Sequence, residues 1–170
     1  MSKIISLFFS IPLFFLSVAL PQLSAAQSPS LPPFEMALST GKVFKVSRDL
    51  PKGKPVIVIY FDPDCDHCQK LMAQLFKKIN NFKNAEIVMI TFKLIPELSA
   101  FEKKYGTRKY PNIRVGSEGN YFYLRDYYKL VKMPFTALYD KKQNLVYSYR
   151  DETSVADLIK RLRELKRIER

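Results

Sequence analysis

Apolar positions along the chain fall into three kinds of run. One is long and nearly continuous: residues 4–20 are rich in Leu, Ile and Phe, behind Lys3 and ahead of PQLSAAQ. A second kind is short, β-branched and aromatic: residues 56–61 (VIVIYF), 86–92 (EIVMITF) and 135–139 (FTALY). Such runs predict strands, and the uncharged VIVIYF predicts one buried on both faces. A third kind repeats at helical spacing. Leu71, Leu75, Phe76, Ile79 and Phe82 predict a helix over about 65–82, and Val155, Leu158, Ile159, Leu162 and Leu165 predict another over 153–168.

The residues between these runs set the order of elements. Ser39-Thr40-Gly41-Lys42 separates two short apolar stretches within 34–46, a β-hairpin signal. Residues 96–105 open on Pro96 and stop before Gly106, which is helix punctuation. A short strand is expected over 112–115 and a Tyr-rich helix over 120–130. Residues 140–144 form a turn that returns FTALY to a partner strand over 145–149. Asp64 is the expected N-cap of the 65–82 helix, and Thr153 or Ser154 that of the last one. A hairpin, then strands alternating with helices, then a terminal hairpin and helix imply an α/β fold: a mixed central sheet flanked by helices.

The chain of 170 residues suggests one domain. Lys3, the apolar run and the small residues Ser24 and Ala26 match a cleavable export signal over 1–26. The alternative is a retained membrane anchor, although Pro12 interrupts the run and a spanning helix usually needs about 20 apolar residues. Residues 27–33 are Pro/Ser-rich and read as a linker, leaving 34–170 as the folded domain. The formal charge of +12 is assigned to a solvated basic surface and to the last helix, which carries Lys160, Arg161, Arg163, Lys166 and Arg167. No nucleic-acid-binding motif is present, so nucleic acid is not an expected partner. A monomer is expected.

The chemistry concentrates in Asp62-Pro63-Asp64-Cys65-Asp66-His67-Cys68, where the buried strand turns into a helix. Cys65 and Cys68 are the two cysteines of the chain. A disulfide between them closes a very small loop and stabilises the fold little. At a helix start, however, unpaired N–H groups favour a thiolate on Cys65, and Cys68 lies one turn further on the same face. The expectation is a redox pair with Cys65 as nucleophile and Cys68 as resolving thiol, needing no other cofactor. His67, the single histidine, favours the thiolate when charged, whereas Asp64 and Asp66 oppose it. A metal site built from Cys65, Cys68 and His67 lacks a fourth ligand of the usual kinds. Tyr121, Phe122, Tyr123, Tyr127 and Tyr128 are expected to pack onto the sheet, with a peptide-binding lip as the alternative.

The stretch VIVIYFDPDCDHC resembles the active-site strand and loop of the thioredoxin-like superfamily, and within it the exported TlpA-like redoxins of bacteria. LSTGKVFKVSRDLPKGKP is similar to the family's N-terminal hairpin. The resemblance covers most of 34–170 and makes 94–132 an α/β insertion. It implies an exported, periplasmic or membrane-anchored disulfide oxidoreductase exchanging with protein thiols and disulfides, served by a membrane or extracytoplasmic electron partner. It also implies that Pro134, after Met133, is the family's cis-proline facing the cysteine pair and shaping the substrate groove; Tyr110-Pro111 is the lesser candidate. The sequence departs from the family in three places. Asp64 replaces a Trp, Ile59 stands where a buried acid is common, and the inner dipeptide is Asp-His. These leave the direction of electron flow open. The rival readings are a redox-inactive peptide-binding module and a metal carrier.

Overall fold

The computed structural model describes residues 29–168. The expected export signal over 1–26 lies outside them. The elements are β1 (Glu35–Leu38), β2 (Val43–Lys45), α1 (Val46–Asp49), β3 (Val56–Tyr60), α2 (Asp66–Lys77), β4 (Glu86–Thr91), α3 (Ile95–Tyr105), β5 (Ile113–Ser117), α4 (Tyr123–Tyr127), β6 (Phe135–Tyr139), β7 (Leu145–Arg150) and α5 (Val155–Ile168). The strands form one seven-stranded sheet in the order β2-β1-β5-β4-β3-β6-β7. β3, β4 and β5 run parallel, and the remaining pairings are antiparallel. This is a thioredoxin-like architecture, a mixed sheet with helices on both faces.

β3 lies at the centre because every one of its side chains is apolar or aromatic and fully buried. Ile57 and Ile59 point to a face covered by α2, α3 and α5. Val56, Val58 and Tyr60 point to the other, which α1, α4 and the segments around Leu31, Leu50 and Leu130 close. α3 ends where expected, on Gly106 in the left-handed region (φ 61°). Gly116 of β5 is required for a different reason: a Cβ there would fall 2.5 Å from the Met36 side chain of neighbouring β1.

Three local expectations shift, and one element is new. The 65–82 helix stops at Lys77 and continues as a 3₁₀ turn over Ile79–Phe82. The Tyr-rich helix is split: a 3₁₀ turn over Gly119–Tyr121, then Phe122 in the left-handed region (φ 48°), then the short α4. The helical turn α1, held by Asp49 accepting the Lys45 N–H at 2.8 Å, carries no periodicity and went unforeseen. The 27–33 stretch, read as a linker, is tied to the domain by backbone bonds from Pro29 onward: Ser30 bridges to Asn144, and Leu31 is buried. The 94–132 segment contributes β5 to the sheet between β1 and β4. Among the described residues no helix is long and apolar enough to cross a membrane.

Candidate active site

The site forms where β3 runs out. Pro63 has no N–H to continue a ladder, and the chain turns at once. The Asp62 carbonyl accepts the Cys65 N–H at 3.1 Å, and its carboxylate accepts the Asp64 N–H at 2.9 Å. An aspartate bonding its own backbone two residues on is a common way to fix such a turn. The turn delivers Cys65, rather than the expected Asp64, to the N-cap of α2. Asp64 is unavailable because its N–H is held by Asp62 and its carboxylate by Lys93. The Cys65 carbonyl accepts the first helical bond, from Gln69 N–H at 2.9 Å.

The two thiols occupy unlike surroundings. Cys65 is half-buried, and its Sγ faces the Met133 carbonyl at 3.7 Å. The first-turn N–H groups of α2, which have no partners within the helix, lie beside it. Cys68, one turn on, is fully buried against the apolar side of the sheet with Leu71 and Leu75. Burial pushes the Cys68 thiol up to about 12; a backbone hydrogen bond with Asp62 works against this, and a hydrogen bond with Cys65 adds to it. Cys68 is therefore a protonated thiol at neutral pH, screened from solvent and in contact with the sulfur that is not.

Across from the pair, the Met133–Pro134 peptide bond is cis, and it is the cis bond recorded among the described residues. Tyr110–Pro111 does not share that geometry. Pro134 and His67 line one shallow cavity of about 160 Å³ with Asp151 and Glu152. His67 and Asp66 are exposed on the first turn of α2. Among the described residues no group of three or more His, Cys, Asp or Glu side chains converges as a metal site.

Lys93 is the residue that sequence reasoning missed. Its ammonium lies 2.6 Å from Asp64 and 3.6 Å from both Asp62 and Glu97. The neighbouring carboxylates, Asp64 first through its hydrogen bond, hold the Lys93 ammonium above its usual value. The negative charge of the loop before Cys65 is thus partly offset from the β4–α3 connection. The available signal was positional: Lys93 follows directly on the buried run EIVMITF, at the carboxyl end of a parallel strand, where sheets of this kind place functional groups.

Comparison with known proteins places these features in a wider set. A family profile described as a thioredoxin-like domain matches residues 50–166. "Probable protein disulfide-isomerase A6" of Medicago sativa is 32% identical over 73 residues, which are 43% of this chain and 20% of that protein. The match therefore spans about a fifth of the length of that curated relative. A thiol-disulfide oxidoreductase from Bacteroides fragilis superposes with a TM-score of 0.66 at 17% identity, covering 81% of this chain and 99% of its own. The exposed lipoprotein thioredoxin Etrx1 of Streptococcus pneumoniae gives 0.59 at 20% identity, covering 78% and 99%. At these identities the likeness is one of fold.

Proposed function

The chain belongs to the thioredoxin-like domain family, and from that premise we propose that it is an exported thiol–disulfide oxidoreductase acting on protein thiols and disulfides through Cys65 and Cys68. The observation that carries this reading is the asymmetry of the pair: one half-exposed sulfur at a helix N-cap facing a backbone carbonyl, and one buried sulfur beneath it.

The reaction follows from that geometry. Cys65, as thiolate, attacks one sulfur of a client disulfide. The client S–S bond breaks, and its second sulfur leaves as a thiolate that takes a proton from solvent. A Cys65–client mixed disulfide remains. Cys68 gives up its proton and attacks the Cys65 sulfur, the mixed disulfide breaks, and the client leaves as a dithiol. Two electrons have passed from the pair to the client, and Cys65–Cys68 is now a disulfide. The reverse sequence oxidises a client. Keeping Cys68 protonated and buried leaves Cys65 as the sulfur that meets the client first, and Cys68 acts once the mixed disulfide has formed. The Met133 carbonyl accepts an N–H of an extended client, adding it as a short strand beside Cys65. His67, Asp66 and Asp64 tune the charge around the sulfur, and Lys93 offsets Asp64.

The location rests on the Lys3, apolar and Ser24–Ala26 pattern, which supports export to the periplasm or retention on a membrane. The electron partner is a dithiol or disulfide carrier on that side of the membrane. Pre-reduced protein is mixed with a peptide disulfide and the products are resolved by mass spectrometry. Wild type should yield peptide dithiol, Cys65→Ser should yield none, and Cys68→Ser should stop at the mixed disulfide. Exchange that survives in Cys65→Ser would overturn the reading.

A further inference from the structure

Exposed large apolar side chains are not scattered over this molecule. Nine such side chains are exposed among the described residues, and five of them, Val43, Leu94, Tyr121, Tyr123 and Tyr127, line one open cavity of about 930 Å³. Clustering of this kind marks an interaction surface, since scattered apolar residues need no explanation while a contiguous patch costs solubility. The volume lies at the upper end of that for a ligand or peptide side-chain site.

The cavity lies beside the carboxyl ends of β4 and β5, with Met36 of β1 in its wall. In open α/β sheets, this end is where ligands bind. It is also the end at which β3 delivers Cys65. Cys65 itself does not line the cavity, but Lys93 does, and the Lys93 ammonium is paired to Asp64 next to that cysteine. One ion pair separates the aromatic cavity from the redox loop.

The aromatic rim is held in place. Glu118 is buried and accepts hydrogen bonds from the Tyr60 hydroxyl at 2.7 Å and the Leu124 N–H at 2.8 Å, which ties α4 to the central strand. Phe122, in the left-handed region, packs against Phe92 with ring centroids 6.1 Å apart. The Tyr123 and Tyr127 rings stack at 6.3 Å. Presenting fixed aromatic rings to solvent lowers the ordering cost of binding.

Charge narrows the choice of occupant. The chain is strongly basic, yet the charged groups of the cavity are Glu35, Glu118 and Asp126 against Lys93 alone. Glu35 is paired to Lys45, and Glu118 is spent internally. The Asp126 carboxylate is exposed and has no ion pair among the described residues. An apolar cavity with a free carboxylate at its rim fits an apolar side chain next to a cationic one.

We propose that this cavity is the client-recognition subsite: it takes an aromatic or large aliphatic side chain of an extended client polypeptide, with an adjacent lysine or arginine at Asp126, while the client cysteine reaches Cys65. The proposal rests on the disulfide-exchange reading and deepens it by naming the client chemistry.

The probes are two short flexible peptides, one containing Trp, Leu and Lys but no cysteine, and a twin with Gln in place of Lys. The chain has no tryptophan, so peptide fluorescence reports binding without interference. A third series carries a disulfide-linked cysteine at increasing distance from the Trp. The full reduced chain should bind the Lys peptide, and the Leu94→Ser/Tyr121→Ser double variant should bind it at least tenfold more weakly. Both changed residues are exposed, so circular dichroism should report a native fold. Asp126→Asn should weaken the Lys peptide and leave the Gln twin unaffected. In exchange assays, the double variant should lose at least tenfold of its kcat/KM preference for the disulfide peptide over oxidised glutathione, through KM. Equal binding to wild type and double variant, or none to wild type, overturns the subsite. So does concentration-dependent dimerisation that disappears in the double variant without peptide binding, which assigns the patch to a second copy. Loss of exchange with both peptide and glutathione in wild type overturns the oxidoreductase reading instead, while the cysteine-free peptide still reads the cavity on its own.

Discussion

The two faces of the sheet are closed by different means. On one, Ile57, Ile59 and Phe61 meet α2, α3 and α5, helices of 12, 11 and 14 residues, and the centre is apolar: Leu71, Leu75, Leu98, Leu158 and the Cys68 thiol. On the other, Val56, Val58 and Tyr60 meet irregular segments and helices of only four and five residues. Here the buried contacts include hydroxyls and a carboxylate: Tyr60 with Glu118, and Tyr128 with Tyr139. A long amphipathic helix satisfies its own backbone and needs only an apolar stripe to dock. A five-residue helix has too few internal bonds to hold itself, so specific polar ties must fix it. The contrast extends to the candidate site: the cysteine pair lies against the apolar face, where burial keeps Cys68 protonated, and the aromatic rim lies on the face pinned by hydrogen bonds.

The largest test of this contrast is on the apolar face. Leu75→Ala should cost about 2–5 kcal/mol of unfolding free energy, because a rigidly packed helix cannot collapse into the space. Urea titration of reduced protein measures it, and a loss of a few tenths would show that the face is not tightly packed. On the second face, Glu118→Ala leaves the Tyr60 hydroxyl and the Leu124 N–H without partners and should cost about 1–3 kcal/mol. It should also speed amide exchange across residues 119–128 while leaving α2 unchanged. Exchange that rises equally in both would erase the distinction.

A smaller effect concerns pH. Burial holds the folded Cys68 thiol near 12 against an ordinary value near 9, so the folded reduced chain keeps a proton that the unfolded chain releases. That contribution to stability is intact below about pH 9 and is lost as the pH rises toward 12. The oxidised form carries no such proton. The reduced protein should therefore lose stability relative to the oxidised protein over that window, and a constant difference would mean that Cys68 is not held in the apolar face as described.

The apolar face was largely legible in the sequence. VIVIYF, FTALY and the stripes of α2 and α5 announce their own periods, and β6 falls on the expected residues. The placement of Cys65 and Cys68 between strand and helix was legible too. The second face was much less legible, because its structure depends on partners remote in sequence. Nothing local says that Glu118 meets Tyr60, that Phe122 adopts a left-handed conformation, or that Lys93 reaches back to Asp64. The N-cap shifted from Asp64 to Cys65 for the same reason: the turn was decided by where the Asp62 and Lys93 side chains went.

The tie between the first described residues and the β6–β7 turn has an orientational consequence. Pro29 accepts the Leu145 N–H at 2.8 Å, and Leu31 donates to Gln143 at 2.9 Å. That turn follows Tyr139, which sits opposite Val56 at the start of β3, whereas Cys65 follows the end of β3. Any leash on the amino-terminal side of Pro29 is thus fastened to the pole of the domain remote from the sulfur. If the domain hangs from a surface by that leash, the Cys65 pole faces outward, and a bulky partner can reach it without the surface standing in its way.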